Sequence, residues 1–255
     1  MKLTVLGGCG AWPAAGQACS GYLIEHDGFR LLVDPGYATL PRLLAIVPAE
    51  GIDAVLISHG HPDHCADLNP LVRARVLGPQ PPPALPVYSL PGAIDQVLAL
   101  DEPGMMIPGV DARTFGAGDE FRSGPCRIQA FDLPHFVASA GLRITAGGRS
   151  LAYTGDSGPS PGLIALARGA DLYLAEATYV DAVPARHAGH LSCAGQVGRD
   201  AAAAGVRRLV LTHLWPGTDP GAAVAAAARH YGGEIAVARE GLIIDLGDNG
   251  NGQSG

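Results

Sequence analysis

Short apolar segments, each a few residues long and bounded by Gly, Pro or Asp, recur along the whole chain. Many contain β-branched residues, which is typical of strands buried in a sheet. The pattern predicts strands at Leu3–Leu6, Gly21–Glu25, Phe29–Val33, Ala54–Ile57, Val87–Tyr88, Arg127–Phe131, Leu142–Thr145, Leu151–Tyr153, Leu172–Leu174, Leu209–Leu211, Glu234–Val237 and Leu242–Asp245. The Pro-rich segment Gly78–Pro86 is predicted to be a surface loop.

Helical signals are fewer than strand signals. A helix over Pro62–Arg75 would begin with proline at its first position. A second helix, Ser192–Ala204, would be capped by its serine and ended by Gly205. A third would open at Asp219 and run to about Tyr231. Strands and helices thus alternate in both halves, which predicts two packed sheets with helices outside.

Composition narrows the function classes. The 47% of apolar residues suffice for a core, whereas the net charge of −7 argues against a general nucleic-acid binder. No apolar run approaches the ~18 residues of a membrane helix. The scattered cysteines and an N-terminal apolar run too short for a secretion signal predict the cytoplasm. We expect one domain over residues 1–246 and a flexible tail over 247–255.

The strongest chemical signal is the segment SHGHPDH, residues 58–64. His59 and His61 lie two residues apart just after a predicted strand, so both side chains can reach one metal ion. Asp63 and His64 begin the next predicted helix and can face a second ion. Imidazole and carboxylate ligands suit Zn²⁺, and Mn²⁺ and Fe²⁺ accept similar sets.

Three further ligands are available at the ends of other predicted strands. They are His135 in FDLPHF, Asp156 in YTGDSG and His213 in LVLTHL. Taken singly, the first two could be turn residues and the third a core histidine. Together with the first cluster they complete the ligands of two ions, and a carboxylate such as Asp156 can bridge two cations.

This order of motifs, HxHxDH followed by His, Asp and His at strand ends, resembles the metallo-β-lactamase fold superfamily over nearly the whole chain. The resemblance implies an α/β fold, an αββα sandwich of two mixed β-sheets flanked by helices. It implies two divalent ions, one held by His59, His61 and His135 and the other by Asp63, His64 and His213. We also count Asp63 among the catalytic residues. Asp34 in LLVDPG matches a family aspartate that braces the metal loop.

The C-terminal half, with DLYLAEATYV and GHLSCAGQ, resembles the ribonuclease Z-like phosphodiesterases. In that branch a Glu and a His relay a proton to the leaving oxygen, and they correspond here to Glu176 and His190. A hydroxide bridging the metals would attack phosphorus. His187 is an alternative relay residue. Glu176 could instead be a buried strand-end carboxylate, and His190 a residue at a helix entry.

One departure from ribonuclease Z concerns the substrate. Its tRNA-gripping arm lies between the ligands that match His135 and Asp156, which here are only 21 residues apart. A predicted hairpin fills that interval, so we do not expect tRNA to bind. The resemblance then favours small bacterial phosphodiesterases that cleave 3′,5′-cyclic nucleotides, and it leaves a homodimer open.

Two other functions stay open at this point. A lactonase or other carbonyl-ester hydrolase would use the same metal ligands without needing Glu176 and His190. A ribonuclease Z-like RNA 3′-end nuclease is the second alternative. The glycine-rich loop that contains Trp12 either lines the site, with the indole ring facing a base, or is only a tight turn with a packed ring.

Overall fold

The computed structural model describes residues 1–102 and 104–247. Within them, fourteen strands form two sheets of seven strands each. The strands are β1 Lys2–Gly7, β2 Gly21–His26, β3 Phe29–Val33, β4 Ala54–Leu56, β5 Leu85–Ser89, β6 Val110–Thr114, β7 Glu120–Ser123, β8 Cys126–Leu133, β9 Ser139–Ala146, β10 Arg149–Tyr153, β11 Leu172–Glu176, β12 Arg208–Thr212, β13 Glu234–Val237 and β14 Ile243–Asp245.

Both sheets are mixed. The first has the order β14-β1-β2-β3-β4-β5-β6, antiparallel as far as β3 and parallel beyond it. The second has the order β13-β12-β11-β10-β9-β8-β7, parallel as far as β10 and antiparallel beyond it. The two mixed sheets expected from the family resemblance are therefore present.

Helices cover the outer face of each sheet. They are α1 Leu40–Leu44, α2 Pro62–Cys65, α3 Leu68–Val76, α4 Asp95–Leu98, α5 Pro161–Ala167, α6 Ala194–Ala204 and α7 Pro220–Ala228. One apolar cluster fills the space between the sheets, and its members include Leu31 and Ile128. A second lies between the second sheet and α5 to α7, and a third lies between the first sheet, α1 and α3. These layers form an αββα sandwich, which confirms the predicted fold class.

All the predicted strands are present, but β6 and β7 were missed. Both lie at an edge of a sheet and expose charged residues, so they lack the buried apolar pattern used to find the others. The prediction of a loop over Gly78–Pro86 is wrong at its end. Strand β5 already begins at Leu85, which is fully buried, and includes Pro86.

Two helix predictions also need correction. The helix expected over Pro62–Arg75 is divided into α2 and α3, because Pro70 lacks an N–H and its ring would clash with the carbonyl of a continuous helix. Ser192 does not cap α6; its hydroxyl donates to the carbonyl of Ser157, 2.7 Å away. Asp219 does cap α7, accepting from the N–H of Gly221 at 2.9 Å, but the helix ends at Ala228.

No helix in the described part of the chain is both long and apolar enough to cross a membrane. The predicted flexible tail falls almost wholly on residues 248–255, outside the described residues.

The strand directions position the site. In the first sheet β3 and β4 are parallel, and in the second β8, β10, β11 and β12 share one direction. A backbone hydrogen bond connects the ends of these two sets of strands. The N–H of Ala140, at the start of β9, donates to the carbonyl of Ser58, which follows β4, at 3.1 Å. Residues that follow these strands therefore meet at one edge of the sandwich.

Candidate metal centre

A first group of potential ligands contains His59, His61, His135 and Asp156. Nδ1 of His61 lies 3.2 Å from Nε2 of His59 and 3.0 Å from Nε2 of His135. Oδ2 of Asp156 lies 3.9 Å from the His59 nitrogen and 3.8 Å from the His135 nitrogen. His59 and His61 follow β4, whereas His135 and Asp156 follow β8 and β10. Both sheets thus contribute to this group.

A second group contains Asp63, His64, His213 and again Asp156. Nε2 of His213 lies 3.1 Å from Oδ2 of Asp156 and 3.2 Å from Oδ2 of Asp63. Nε2 of His64 lies 3.2 Å from Oδ1 of Asp156 and 3.5 Å from Oδ2 of Asp63. Asp156 therefore belongs to both groups, with one oxygen near His64 and the other near His213.

The donor atoms fit divalent metal ions. A tetrahedral shell with metal–ligand bonds of about 2.0–2.1 Å places its ligand atoms about 3.3 Å apart, close to the separations within both groups. Nε2 of His64 and Oδ1 of Asp156 are buried and have no hydrogen-bond partner among the described residues, although they lie 3.2 Å apart. Buried polar atoms of this kind are costly unless they bind something.

Hydrogen bonds on the other ring nitrogen orient four of the histidines. The pairs are His59 Nδ1 with Ser58 Oγ at 3.0 Å, His64 Nδ1 with Asp34 Oδ2 at 2.8 Å, His135 Nδ1 with the His190 carbonyl at 2.9 Å and His213 Nδ1 with Thr178 Oγ1 at 2.9 Å. Such partners fix the ring orientation and leave Nε2 for a metal. His61 is the exception, since its Nδ1, not its Nε2, faces the other ligand atoms of the first group.

Asp34 lies behind the ligands. It is fully buried, and its carboxylate accepts hydrogen bonds from the backbone and hydroxyl of Ser58, from His64 and from the hydroxyl of Tyr153 at 2.7 Å. Asp34 also forms a geometrically close group with His59 and His64. Because its oxygens already receive these donors, we assign it to positioning His64 and the loop after β4.

The glycine-rich loop after β1 lies against the second group. The N–H of Ala11 donates to Oδ2 of Asp63 at 2.8 Å. A Cβ on Gly10 would lie only 2.7 Å from Nδ1 of His213, so only glycine allows this approach. The Ala11 N–H was not among the predicted site groups. The run Gly7-Gly8-Cys9-Gly10 was the sequence signal that could have indicated it.

Burial and the neighbouring charges set the protonation of the centre. Burial lowers the pKa of His59 well below its usual value, and it also lowers the pKa of His61 and His135. Burial alone would raise the pKa of Asp156, but His213 and His64 outweigh it and hold that pKa well below its usual value. Despite burial, Asp156 and Asp63 instead raise the pKa of His64 and His213. These two rings must therefore release protons to bind a metal, whereas His59, His61 and His135 are already neutral.

The predicted relay pair does not form as a direct contact. Oxygens of the buried Glu176 carboxylate accept from the N–H of Thr178 at 3.0 Å and of Ser192 at 2.9 Å. Nδ1 of His190 is buried and has no hydrogen-bond partner within the described ranges. The alternative relay residue, His187, is hydrogen-bonded through Nδ1 to the hydroxyl of Tyr179.

A cleft of about 640 Å³ opens beside His61. Its walls are mostly apolar and include Leu90, Val97 and Val137, with Tyr37 and Gln96 as polar groups. Pockets of this size and lining accept small molecules. The cleft therefore adjoins the first group of ligands.

This fold and this set of His and Asp ligands define the class of metallo-hydrolases. Residues 29–214 match the Beta-lactamase superfamily domain. The Probable metallo-hydrolase YhfI of Bacillus subtilis is 36% identical over 217 residues, which cover 84% of this chain and 87% of that protein. The chain belongs to the β-lactamase superfamily, and the resemblance seen in the sequence is confirmed.

Other relatives and solved structures agree with this placement. Ribonuclease Z of Haloferax volcanii is 27% identical over 316 residues, covering 100% of this chain and 99% of that protein. The crystal structure of Bacillus subtilis YhfI has a TM-score of 0.87 at 34% identity and covers 95% of this chain and 98% of its own. Unliganded yeast PDE1 has a TM-score of 0.75 at 14% identity, covering 95% and 98% of the two chains, and shows the same fold.

Proposed function

We propose that this protein is a dinuclear metal-dependent phosphodiesterase acting on small phosphodiesters such as 3′,5′-cyclic nucleotides. The observation that carries the proposal is Asp156, whose two oxygens serve two adjoining ligand groups. Two divalent ions bound there would activate water and neutralise the charge that develops on the phosphoryl oxygens. The three-imidazole group favours Zn²⁺, with Mn²⁺ and Fe²⁺ as the other candidates.

In this proposal His190 protonates the leaving oxygen. Its backbone carbonyl is hydrogen-bonded to Nδ1 of His135. Its own Nδ1 is buried and has no hydrogen-bond partner in the described part of the chain. Glu176 acts as a positioning residue, because its carboxylate holds the N–H of Ser192 two residues beyond His190. The Glu176 carboxylate also accepts a hydrogen bond from the N–H of Thr178, whose hydroxyl is hydrogen-bonded to Nδ1 of His213. Asp63 remains both a ligand and a catalytic candidate.

The substrate should be small. Strands β9 and β10 form a hairpin in the interval where ribonuclease Z carries its arm, so the described residues offer no such arm. The alignment with ribonuclease Z runs over 316 residues, more than the 255 of this chain, which agrees with inserted segments in that relative. The net charge of −7 also disfavours tRNA as a partner.

A carbonyl-ester hydrolase, such as a lactonase, is the second candidate. The observation that favours it is the apolar wall of the cleft beside His61, which suits an acyl chain as well as a nucleoside. Such an enzyme would need no proton donor at His190. Substitution of His190 therefore distinguishes this candidate from the phosphodiesterase.

We place the enzyme in the cytoplasm. Its five cysteines are all buried free thiols, as is usual in a reducing compartment. A homodimer stays a prediction from the family resemblance.

The test compares substrates that differ in their leaving group. Turnover of 3′,5′-cAMP, bis(p-nitrophenyl) phosphate, a lactone and a pre-tRNA is measured with added Zn²⁺ or Mn²⁺. His190→Ala should lower kcat for cAMP by about 10²–10⁴-fold, because an alkoxide needs a proton to leave. It should change p-nitrophenyl release little, because p-nitrophenolate leaves as a stable anion.

The matched control is His230→Ala, which removes an exposed histidine that contacts Arg199. It should leave both activities unchanged. Lactone turnover with no hydrolysis of either phosphodiester would overturn the proposal in favour of the carbonyl-ester candidate.

A further inference from the structure

Six aromatic rings form a continuous row on the rim of the metal centre, which we call the aromatic arc. Its members are Trp12, Trp215, Tyr179, His187, Phe136 and His190. Successive ring centroids lie 5.4, 5.4, 5.9, 5.8 and 4.5 Å apart in that order. These are contact distances between aromatic rings. Four separate segments of the chain supply the six rings.

Three of the rings belong to residues that come one or two positions after a group of the metal centre in the sequence. Trp12 comes directly after Ala11, whose N–H donates to Asp63. Trp215 lies two residues after His213, and Phe136 is the residue after His135. The arc is therefore fixed relative to the ligand groups rather than placed elsewhere on the surface.

The arc exposes ring surface that a folded chain normally buries. Trp12 is 47% exposed and Phe136 is 49% exposed. Apolar surface at the mouth of a site generally marks a binding surface. Nε1 of Trp215 and Nδ1 of His190 are buried and have no hydrogen-bond partner among the residues described. Exposed ring faces combined with the indole N–H of Trp215 suit a planar heterocycle that also accepts a hydrogen bond, while His190 remains the proton donor to the leaving oxygen.

The arc is separate from the apolar cleft. The loop between β8 and β9 divides them, because Phe136 stacks on His190 at 4.5 Å while the next residue, Val137, lines the cleft with His61. None of the six rings lines that cleft. The metal centre is thus flanked by two different surfaces, and the arc contains His190, the proposed proton donor to the leaving oxygen.

We propose that the aromatic arc is a base-stacking subsite, which selects phosphodiesters whose leaving oxygen belongs to a nucleoside. This inference rests on the proposed phosphodiesterase function for the placement of the phosphate. A base stacked on the arc lies on the His190 side. In an acyclic diester the cleft remains for the second group on phosphorus, whereas in a 3′,5′-cyclic nucleotide both ester oxygens belong to the stacked nucleoside. Stacking of one base on an aromatic side chain changes affinity by about tenfold or more.

Intrinsic fluorescence gives a direct measurement. The sequence holds 2 tryptophans, Trp12 and Trp215, and both lie in the arc. The metal-loaded protein is titrated with adenosine 5′-monophosphate and, in parallel, with ribose 5-phosphate, which has the phosphate but no base. We expect saturable quenching with the nucleotide, and none with the sugar phosphate at the same concentrations.

Variants assign the effect to the arc. Trp12→Leu should weaken nucleotide binding, and raise KM for 3′,5′-cAMP, by about tenfold with kcat nearly unchanged. Trp12→Phe keeps a ring and should restore most of the affinity, with Trp215 as the remaining reporter. Leu77→Ala removes an exposed apolar side chain at the end of α3 and serves as the control that changes neither value.

The outcomes separate this inference from the proposed function. Equal quenching by ribose 5-phosphate, or a Trp12→Leu variant with wild-type affinity and KM, would overturn the stacking subsite while leaving phosphodiester hydrolysis intact. Nucleotide-specific quenching without hydrolysis of any phosphodiester would support the subsite and sink the proposed function. A tryptophan signal that changes with protein concentration alone would assign the arc to a contact between copies of the chain and overturn the inference.

Discussion

At the scale of single residues, the centre depends on which atom each side chain presents. Asp34 and Thr178 hold Nδ1 of His64 and His213, so Nε2 of both rings is left to face Asp156. A change in either partner would alter the orientation of the ring without removing a ligand. Glu176 differs from these residues, because its carboxylate accepts from the backbone N–H groups of Thr178 and Ser192 rather than from a histidine ring.

The raised pKa of Glu176 predicts that the free energy of unfolding depends on pH. Burial and the charge of Asp156 raise its pKa from 4.5 to about 7. At a pH between 4.5 and about 7, Glu176 is therefore protonated in the folded protein but ionised in the unfolded chain. The stability that this proton contributes is therefore complete below the unfolded pKa and is lost as the pH rises through about 7.

We expect the free energy of unfolding of the metal-free wild type to fall, relative to that of Glu176→Gln, as the pH rises from about 5 to about 8. Urea unfolding of both proteins over this range measures the difference. Two curves that stay parallel throughout would show that the pKa of Glu176 is not raised by folding.

At the scale of elements, tight contacts between loops and helices hold the ligands in place. The segment after β3 passes so close to α2 that a Cβ on Gly36 would overlap the carbonyl oxygen of Asp63. The N–H of Gly36 also donates to the carbonyl of Ser20 at 2.8 Å, which ties this segment to the start of β2. The short helix α2 carries Asp63 and His64, so its position controls the second ligand group.

Replacement of Gly36 by alanine should therefore damage the metal centre. The added methyl group would displace α2 and destabilise the fold by about 1–3 kcal/mol, as overpacking does. Metal affinity should fall by at least tenfold, because Asp63 and His64 move together. Chelator competition with Zn²⁺ and thermal unfolding measure the two effects.

Gly232→Ala is the matched control, since a Cβ at Gly232 meets no atom within 4 Å and its backbone has an ordinary φ. It should leave both values within experimental error. Wild-type metal affinity in Gly36→Ala would mean that α2 does not depend on this close approach.

At the scale of the whole molecule, each ligand group joins the two sheets. His59, His61, Asp63 and His64 follow a strand of the first sheet, whereas His135, Asp156 and His213 follow strands of the second. A cation bound in either group therefore links the two halves of the sandwich at its open edge. Binding to the folded state alone raises its stability.

Removal of the metal should accordingly lower the unfolding temperature. At a free Zn²⁺ concentration of about 100 Kd each bound ion contributes about 2.7 kcal/mol, so two independent ions contribute about 5 kcal/mol, which corresponds to roughly 10–20 °C for a chain of this size. Differential scanning calorimetry before and after chelation measures the change, and metal analysis of the reloaded protein should give two ions per chain. A single ion per chain would contradict the dinuclear centre.

The local sequence predicted much of this protein. Apolar runs predicted the positions of the buried strands, and the polar residues after them, such as Asp156 after β10, lie in the two groups that could hold a metal ion. The edge strands β6 and β7 were not predicted, because exposed strands carry no apolar pattern. The division of the predicted helix into α2 and α3 was also missed, although Pro70 was a visible signal.

Neighbouring residues encode the strand propensity, the capping of α7 at Asp219 and the spacing of His59 and His61, and all three could be predicted from the chain alone. Which distant groups meet depends on the packing of the two sheets. Glu176 bonds to the backbone of Ser192 rather than to His190, and Trp12 and Tyr179 both contact Trp215. Such contacts join segments far apart in the chain and depend on how the two sheets pack, and no local pattern carries that information.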